Sequence, residues 1–116
     1  MWHHFDQMTT PDALSAEAQV ALPADSAWFD GHFPGMPLLP GIAQLAMVET
    51  LIARAWSPPR RVAQFSRVRF KLKIDPDTVV TVKVKRNPEK EALFGFQILT
   101  PDGVACVGNA LAPVTD

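Results

Sequence analysis

The longest run of helix-forming residues lies between Ile42 and Trp56, where neither glycine nor proline occurs. Apolar residues recur along it at the spacing of one helix face. The residues at this spacing are Ile42, Leu45, Val48, Ile52 and Ala55. Because Met47 and Leu51 widen the apolar surface, we expect one long helix that is buried on most of its sides. The Ser57-Pro58-Pro59 sequence ends it.

Apolar and polar residues alternate after this helix, which is the pattern of strands with one buried face. The clearest strand is predicted at 67–74, where four basic residues alternate with four apolar ones. Further strands are predicted at 78–85, 92–100 and 104–112, and an earlier one at 16–22. The apolar members of the clearest strand are Val68, Phe70, Leu72 and Ile74.

One early helix followed by about four consecutive strands predicts an α+β fold, with a single antiparallel sheet curled around the helix. A length of 116 residues fits one domain, which we place at residues 1–116. Periodicity alone leaves other α+β arrangements open, so the loop before the helix has to distinguish them.

Composition and charge bear on the partners and the compartment that we expect for this protein. A net charge of -1 gives no general reason to expect a nucleic acid or a membrane surface as partner. The single cysteine, Cys106, excludes an intramolecular disulfide and favours a reducing compartment. Neither a secretion signal nor a span long enough for a bilayer is predicted, so we expect a cytoplasmic protein without membrane insertion.

The loop before the helix, DGHFPGMPLLPG, concentrates the residues that constrain a backbone. Gly31 and Gly35 permit close approaches, while the prolines between 34 and 40 fix φ, so His32 is expected to lie on a stiff platform. A histidine with an ordinary pKa of about 6.5 supplies a neutral general base near neutral pH.

The helix itself is predicted to begin at Pro40-Gly41. The first amides of a helix have no partner within it, and the helix dipole is positive at that end. Such a terminus stabilises negative charge that develops on a nearby oxygen atom. The amide of Gly41 is therefore the first candidate donor.

The stretch from Phe29 to Glu49, FDGHFPGMPLLPGIAQLAMVE, closely resembles the signature of hotdog-fold 3-hydroxyacyl-acyl-carrier-protein dehydratases. In that signature a histidine lies in GHFPG and a second PG opens the central helix. The resemblance continues through SRVRFKLKIDPDTVVTVKV and spans residues 16 to 112. The chain looks most like the short branch of the family, which includes members linked to specialised acyl chains such as aryl polyenes.

The resemblance implies a reaction and an assembly. His32 would remove a proton from C2 of a 3-hydroxyacyl thioester, and an acid on the helix would protonate the departing hydroxyl. No metal or organic cofactor is implied, because the substrate is carried on the phosphopantetheine of acyl carrier protein or on coenzyme A. The family also implies a homodimer or a dimer of dimers, with the site at the subunit boundary.

The helix acid of the family stands fourteen residues after the histidine, a position that is Ala46 in this chain. Glu49, three residues further on, is the nearest acid on the helix. It is displaced by about 4.5 Å along the axis and about 60° around it. We therefore predict three catalytic groups, namely His32, the Gly41 amide and Glu49.

Apolar residues of the loop are candidates to line an acyl channel near the subunit boundary, although they are equally plausible as packing residues. Gln44 is a candidate to bind a hydroxyl or carbonyl, or else to satisfy loop carbonyls, and Asp30 is interpreted as a turn residue. The channel candidates are Phe29, Phe33, Met36, Leu38 and Leu39.

A basic stripe is the other candidate surface, and it either meets the phosphate of phosphopantetheine and an acidic carrier protein, or is the solvated side of a strand. Neither the His3-His4 pair nor Cys106 is predicted to be functional, because the pair has no further ligand and the thiol falls in an apolar strand. The stripe comprises Arg60, Arg61, Arg67, Arg69, Lys71 and Lys73.

Two other functions remain open. A non-catalytic subunit that binds acyl chains or acyl carriers is favoured by Ala46, and it predicts binding without turnover. A hotdog thioesterase would need a helix acid to activate water, so Glu49 would then matter more than His32.

Overall fold

The computed structural model describes residues 5–22, 39, 41–75 and 77–114. One helix and six strands lie in these ranges. In chain order they are β1 (Phe5–Asp12), β2 (Ser15–Leu22), α1 (Gly41–Ala55), β3 (Gln64–Phe70), β4 (Thr78–Arg86), β5 (Leu93–Thr100) and β6 (Gly103–Leu111).

The six strands form one antiparallel sheet in the order β1-β2-β4-β5-β6-β3. Helix α1 packs on one face of this sheet, mainly against β2 and β4. This is the hotdog arrangement, so the predicted fold is confirmed. Among the described residues, no helix is long and apolar enough to cross a membrane.

Strict alternation explains the central strands. In β4, Val80, Val82 and Val84 are buried towards the helix, while Lys83 and Lys85 are exposed on the other face. Strands β2 and β5 alternate in the same way, and their buried side chains complete the sheet side of the core. Period-two alternation of this kind fixes the register, because a shift by one residue would turn every apolar side chain to solvent.

Helix α1 begins at Gly41 and ends at Ala55, within one residue of the prediction. It is not buried on most of its sides, however. The sheet covers one stripe, and the opposite face is open, with Ile42 71% exposed. A single sheet layer covers only one side of a cylinder, and helical spacing does not say which side is covered. The buried residues are Ala43, Gln44, Met47, Val48, Leu51 and Ile52.

Strand β1 was not predicted, because its sequence, FDQMTTPD, shows little apolar alternation. The strand forms because it pairs with β2 along the edge of the sheet. Asp12 stabilises the connecting turn by accepting a hydrogen bond from the Leu14 amide at 2.8 Å. Backbone pairing, rather than apolar burial, therefore accounts for this element.

The strand predicted at 67–74 is wrong in its bounds and in its buried face. Strand β3 runs from Gln64 to Phe70 and pairs with β6 rather than with β4. A bulge interrupts the register between Ser66 and Arg69, and Arg67 lies there in the left-handed region with φ 52°. Because a bulge inserts a residue, it breaks the alternation on which the prediction depended.

Candidate functional site

The backbone just before α1 is anchored to the segment that follows β3. The Leu39 amide donates a hydrogen bond to the Ile74 carbonyl at 2.9 Å, and both side chains are buried in the core. Leu39 thus packs in the core, whereas its predicted contact with an acyl chain stays a prediction. This anchoring fixes the point from which the helix starts.

Gly41 lies at the first position of α1, directly beneath the aromatic ring of Phe70. A methyl group on Gly41 would lie 2.7 Å from Cζ of Phe70, closer than side-chain carbons approach in proteins. The ring itself is 53% exposed. Sequence analysis missed Phe70 as a neighbour of the helix start, although the Arg-Phe-Lys alternation placed it on one strand face.

Gln44 is buried in the first turn and 4% exposed. Its Nε2 donates to the Leu39 carbonyl at 3.3 Å, as expected for a residue that satisfies loop carbonyls. Its Oε1 has no hydrogen-bond partner among the described residues. The first turn of α1 therefore carries a buried acceptor beside the helix terminus.

Ala46 and Glu49 lie on the open side of α1. The Ala46 side chain is half-buried and that of Glu49 is exposed. The Thr50 hydroxyl, one helical turn further on, donates a hydrogen bond to the Ala46 carbonyl at 3.0 Å. The structure thus places the only predicted acid on the face that the sheet leaves uncovered.

Several predicted residues lie outside the described part of the chain. His32 is one of them, together with the channel candidates of the loop. Their roles stay predictions. The channel candidates concerned are Phe29, Phe33, Met36 and Leu38.

An open groove of about 710 Å³ crosses the face of the sheet away from the helix. Arg67, Lys83 and Lys85 contribute positive charge to it, and Glu17 pairs with Lys83 at 3.3 Å. The groove is separated from Gly41 by the thickness of the sheet. It is therefore a second polar surface rather than part of the helix-terminus site.

The basic stripe does not act as one surface. Arg60 is 6% exposed, forms an ion pair with Glu91 and donates to the Ala112 carbonyl at 3.0 Å. It is therefore a structural residue and departs from both interpretations of the stripe, because its guanidinium group is buried and paired within the fold. The other five basic residues are exposed.

Cys106 is fully buried, and burial raises the pKa of its thiol to about 11. A thiol in this state is almost entirely protonated at neutral pH, so it does not serve as a nucleophile. Within the described ranges, no group of three or more His, Cys, Asp or Glu residues could hold a metal ion.

Comparison with known proteins agrees with this architecture. Residues 6–109 match the model of the ApeI-like family, described as ApeI dehydratase. A curated relative, the 3-hydroxyacyl-[acyl-carrier-protein] dehydratase FabZ of Chloroflexus aggregans, is 28% identical, with 89% of this chain and 78% of that protein covered.

Among solved structures, the dehydratase heterocomplex ApeI:P from Xenorhabdus doucetiae superimposes with a TM-score of 0.86 and 28% identity, covering 97% of this chain and 98% of that one. The PaaI protein of E. coli, from its phenylacetic acid degradation operon, shares the fold alone, with a TM-score of 0.72 and 11% identity over 91% and 80% of the two chains. The matched residues span nearly the whole sheet and the complete helix. The chain belongs to the ApeI-like dehydratase family.

Proposed function

We propose that this protein dehydrates 3-hydroxyacyl thioesters to trans-2-enoyl thioesters, on acyl carrier protein or coenzyme A. His32 takes the proton from C2, the Gly41 amide stabilises the negative charge on the thioester oxygen, and an acid protonates the hydroxyl that leaves C3 as water. No metal or organic cofactor takes part in this scheme.

The observation that carries the proposal is the start of α1. Gly41 is its first residue, and the Leu39–Ile74 hydrogen bond holds the backbone that leads into it. A helix terminus held in this way presents unpaired amides in a fixed direction, which is what stabilisation of a developing oxyanion requires. Membership of a dehydratase family supports the same chemistry.

The source of the acid is the open point of the mechanism. Ala46 stands at the position that the resemblance assigns to the acid, and Glu49 is the exposed carboxylate on the same side of α1. We propose Glu49 as the acid within this chain. A misplacement of about 1 Å can cost on the order of 10²-fold in rate, so the displaced Glu49 would be an inefficient acid. The alternative is an acid that a second subunit contributes at this side of the helix.

Assembly is part of the proposal. The uncovered side of α1 carries Ile42, an apolar residue that is 71% exposed, and this favours a subunit partner at that side. We propose a homodimer or a dimer of dimers. A similar solved structure is described as a heterocomplex, so a different hotdog chain is the other candidate partner.

The test is water loss from a 3-hydroxyacyl carrier protein, followed by intact mass, with the reverse hydration run in parallel. The variants are His32→Ala, Glu49→Gln and Ala46→Glu, and Ala53→Glu is the matched control because Ala53 is exposed on the same side of the helix, two turns on. We expect His32→Ala to lower turnover by about 10²- to 10⁴-fold, with Glu49→Gln close to it.

Other outcomes assign the acid or refute the reaction. If Ala46→Glu raises turnover and Ala53→Glu does not, position 46 is where the site needs a carboxyl group, and Glu49 is a poor substitute. Turnover that survives His32→Ala would refute the proposed base. Release of a free acid instead of an enoyl thioester would indicate a thioesterase.

A second function is favoured by Ala46 alone, namely an acyl-binding subunit that does not turn over by itself. It predicts that wild-type protein binds 3-hydroxyacyl carrier protein without losing water, and that activity appears when a second hotdog chain is added. Full activity of the purified chain alone would exclude it.

A further inference from the structure

Gln44 is a polar side chain that the proposed reaction does not use. It is 4% exposed and lies in the first turn of α1. Its Nε2 donates to Leu39, while its Oε1 has no partner among the described residues. A buried acceptor without a hydrogen bond is costly, so such groups in folded proteins usually meet water or a ligand.

The orientation of this amide is determined by its one hydrogen bond. Exchanging the two terminal atoms of Gln44 would set Oε1 against the Leu39 carbonyl, placing two acceptors face to face. The Leu39 carbonyl cannot shift easily either, because its residue is held by the bond to Ile74 at 2.9 Å. Oε1 is therefore a fixed acceptor, pre-oriented before any ligand arrives.

A fixed acceptor selects a ligand that carries a donor. The helix terminus next to it, at Gly41, offers donors and so suits the thioester carbonyl. The two residues are about one helical turn apart, which is about 5 Å along the axis. A 3-hydroxyacyl thioester has this pair of groups, with a carbonyl acceptor at C1 and a hydroxyl donor at C3.

We propose that Gln44 is a specificity-determining residue whose Oε1 accepts a hydrogen bond from the 3-hydroxyl of the bound acyl chain. The inference rests on the proposed function, since it needs an acyl thioester at the start of α1. It does not need turnover. Gln44 has no acidic proton to give to the departing hydroxyl. Its role as a hydrogen-bond acceptor is therefore the same whether Glu49 or a partner subunit acts as the acid.

The test compares two ligands rather than one affinity. Binding is measured by calorimetry with 3-hydroxyacyl pantetheines and with saturated acyl pantetheines of the same length, from butanoyl to dodecanoyl. The protein carries His32→Gln so that no water is lost during titration. We expect it to bind the hydroxylated ligand about 5- to 10-fold more tightly, the value of one neutral hydrogen bond.

Gln44→Leu is expected to reduce this preference to about one while binding of the saturated ligand is retained. If Gln44 had a purely structural role, the substitution would weaken the binding of both ligands equally and leave the ratio of the two affinities unchanged. Gln44→Met is the second variant, for use if the leucine variant folds poorly. The flexible methionine side chain fits the space of the glutamine and carries no amide group. Gln97→Leu is the matched control, since Gln97 is exposed on the face of the sheet away from the helix.

Each outcome has a distinct meaning. If the variants keep the preference for the hydroxylated ligand, Gln44 does not recognise the hydroxyl, although the proposed function stands. If the starting protein binds both ligands equally, the specificity proposal fails in the same way. Binding of neither series would refute the acyl-thioester site itself, and with it the role of Gln44.

Discussion

At the residue scale, two glycines lie beneath aromatic rings, and the surroundings of those rings differ. A methyl group at Gly108 would lie 2.7 Å from Cζ of Phe96, the same separation as between Gly41 and Phe70. Phe96 is buried at 3% exposure, however, while Phe70 is 53% exposed. One ring is enclosed by the core, and the other can turn towards solvent.

We predict that Gly108→Ala lowers the free energy of unfolding by about 1–3 kcal/mol, because overpacking in a closed core cannot be relieved. The Val68 backbone, 3.2 Å from the added methyl, blocks the other direction. Gly41→Ala should cost less than about 1 kcal/mol, since the Phe70 ring moves aside. Urea denaturation measures both.

The double variant Gly108→Ala, Phe96→Leu distinguishes the cause. If the ring is responsible, the smaller side chain recovers part of the loss caused by the alanine. Equal losses in Gly108→Ala and Gly41→Ala would contradict the importance of ring burial at these two sites.

Cys106 yields a second prediction at this scale. Because burial raises the pKa of its thiol to about 11, the folded protein should resist alkylation by iodoacetamide at pH 8. Denatured protein should react fully under the same conditions, as followed by intact mass. Rapid modification of the folded chain would show that the strand around Cys106 opens readily.

At the element scale, alternation was sufficient for β4 and β5, whose buried apolar residues occupy alternate positions. It was insufficient where backbone pairing decides, as in β1, and where a bulge shifts the faces, as at Arg67. The absence of a carboxyl group at the position that the resemblance assigns to the acid was visible in the sequence, where that position is Ala46. The Phe70 ring above Gly41 was not visible, since it depends on how two distant segments meet.

Arg60 links three segments of the chain. Its guanidinium group pairs with Glu91 in the turn between β4 and β5, and it donates to Ala112 after β6. The Phe94 ring lies 5.5 Å from the guanidinium carbon, within the range of a cation–π contact. Removing Arg60 should therefore loosen the end of the sheet where these segments meet.

The pair gives a prediction about pH. The hydrogen bond from Arg60 holds the pKa of Glu91 below its ordinary value, so the pair stabilises the fold above the unfolded pKa of about 4.3. This stability is lost as pH falls through the lowered pKa in the folded state. We predict that Glu91→Gln destabilises at pH 7 and that the difference from wild type shrinks on acidification.

Thermal unfolding between pH 7 and about pH 2.5 tests it, because the loss falls below the unfolded pKa of about 4.3. Glu89→Gln is the matched control, because Glu89 is an exposed glutamate of the same turn and has no arginine partner among the described residues. A Glu91→Gln effect that stays constant over the whole range would show that the ion pair is not the cause.

At the scale of the whole molecule, the uncovered side of α1 leads to a prediction about assembly. If a second subunit covers that side, Ile42→Asp should convert the assembly to monomers, because an unpaired carboxylate would be buried in the interface. Light scattering after size exclusion measures the mass of the wild type and the variant.

Val79→Asp is the control for this experiment, since Val79 is 50% exposed and lies on a strand rather than on the helix. It should leave the assembly unchanged. A wild-type protein that is already monomeric would contradict the homodimer and direct attention to a different hotdog chain as partner.

The strand order also has a consequence for how the chain is made. Strand β3 lies at one edge of the sheet and pairs with β6, which is synthesised later than the other strands that the structure describes. At synthesis rates of about 5–20 residues per second, several seconds pass between the synthesis of β3 and that of β6. During that interval the apolar side chains of Phe65 and Val68 lack the core against which they pack in the folded protein, so nascent chains are expected to engage chaperones over this stretch.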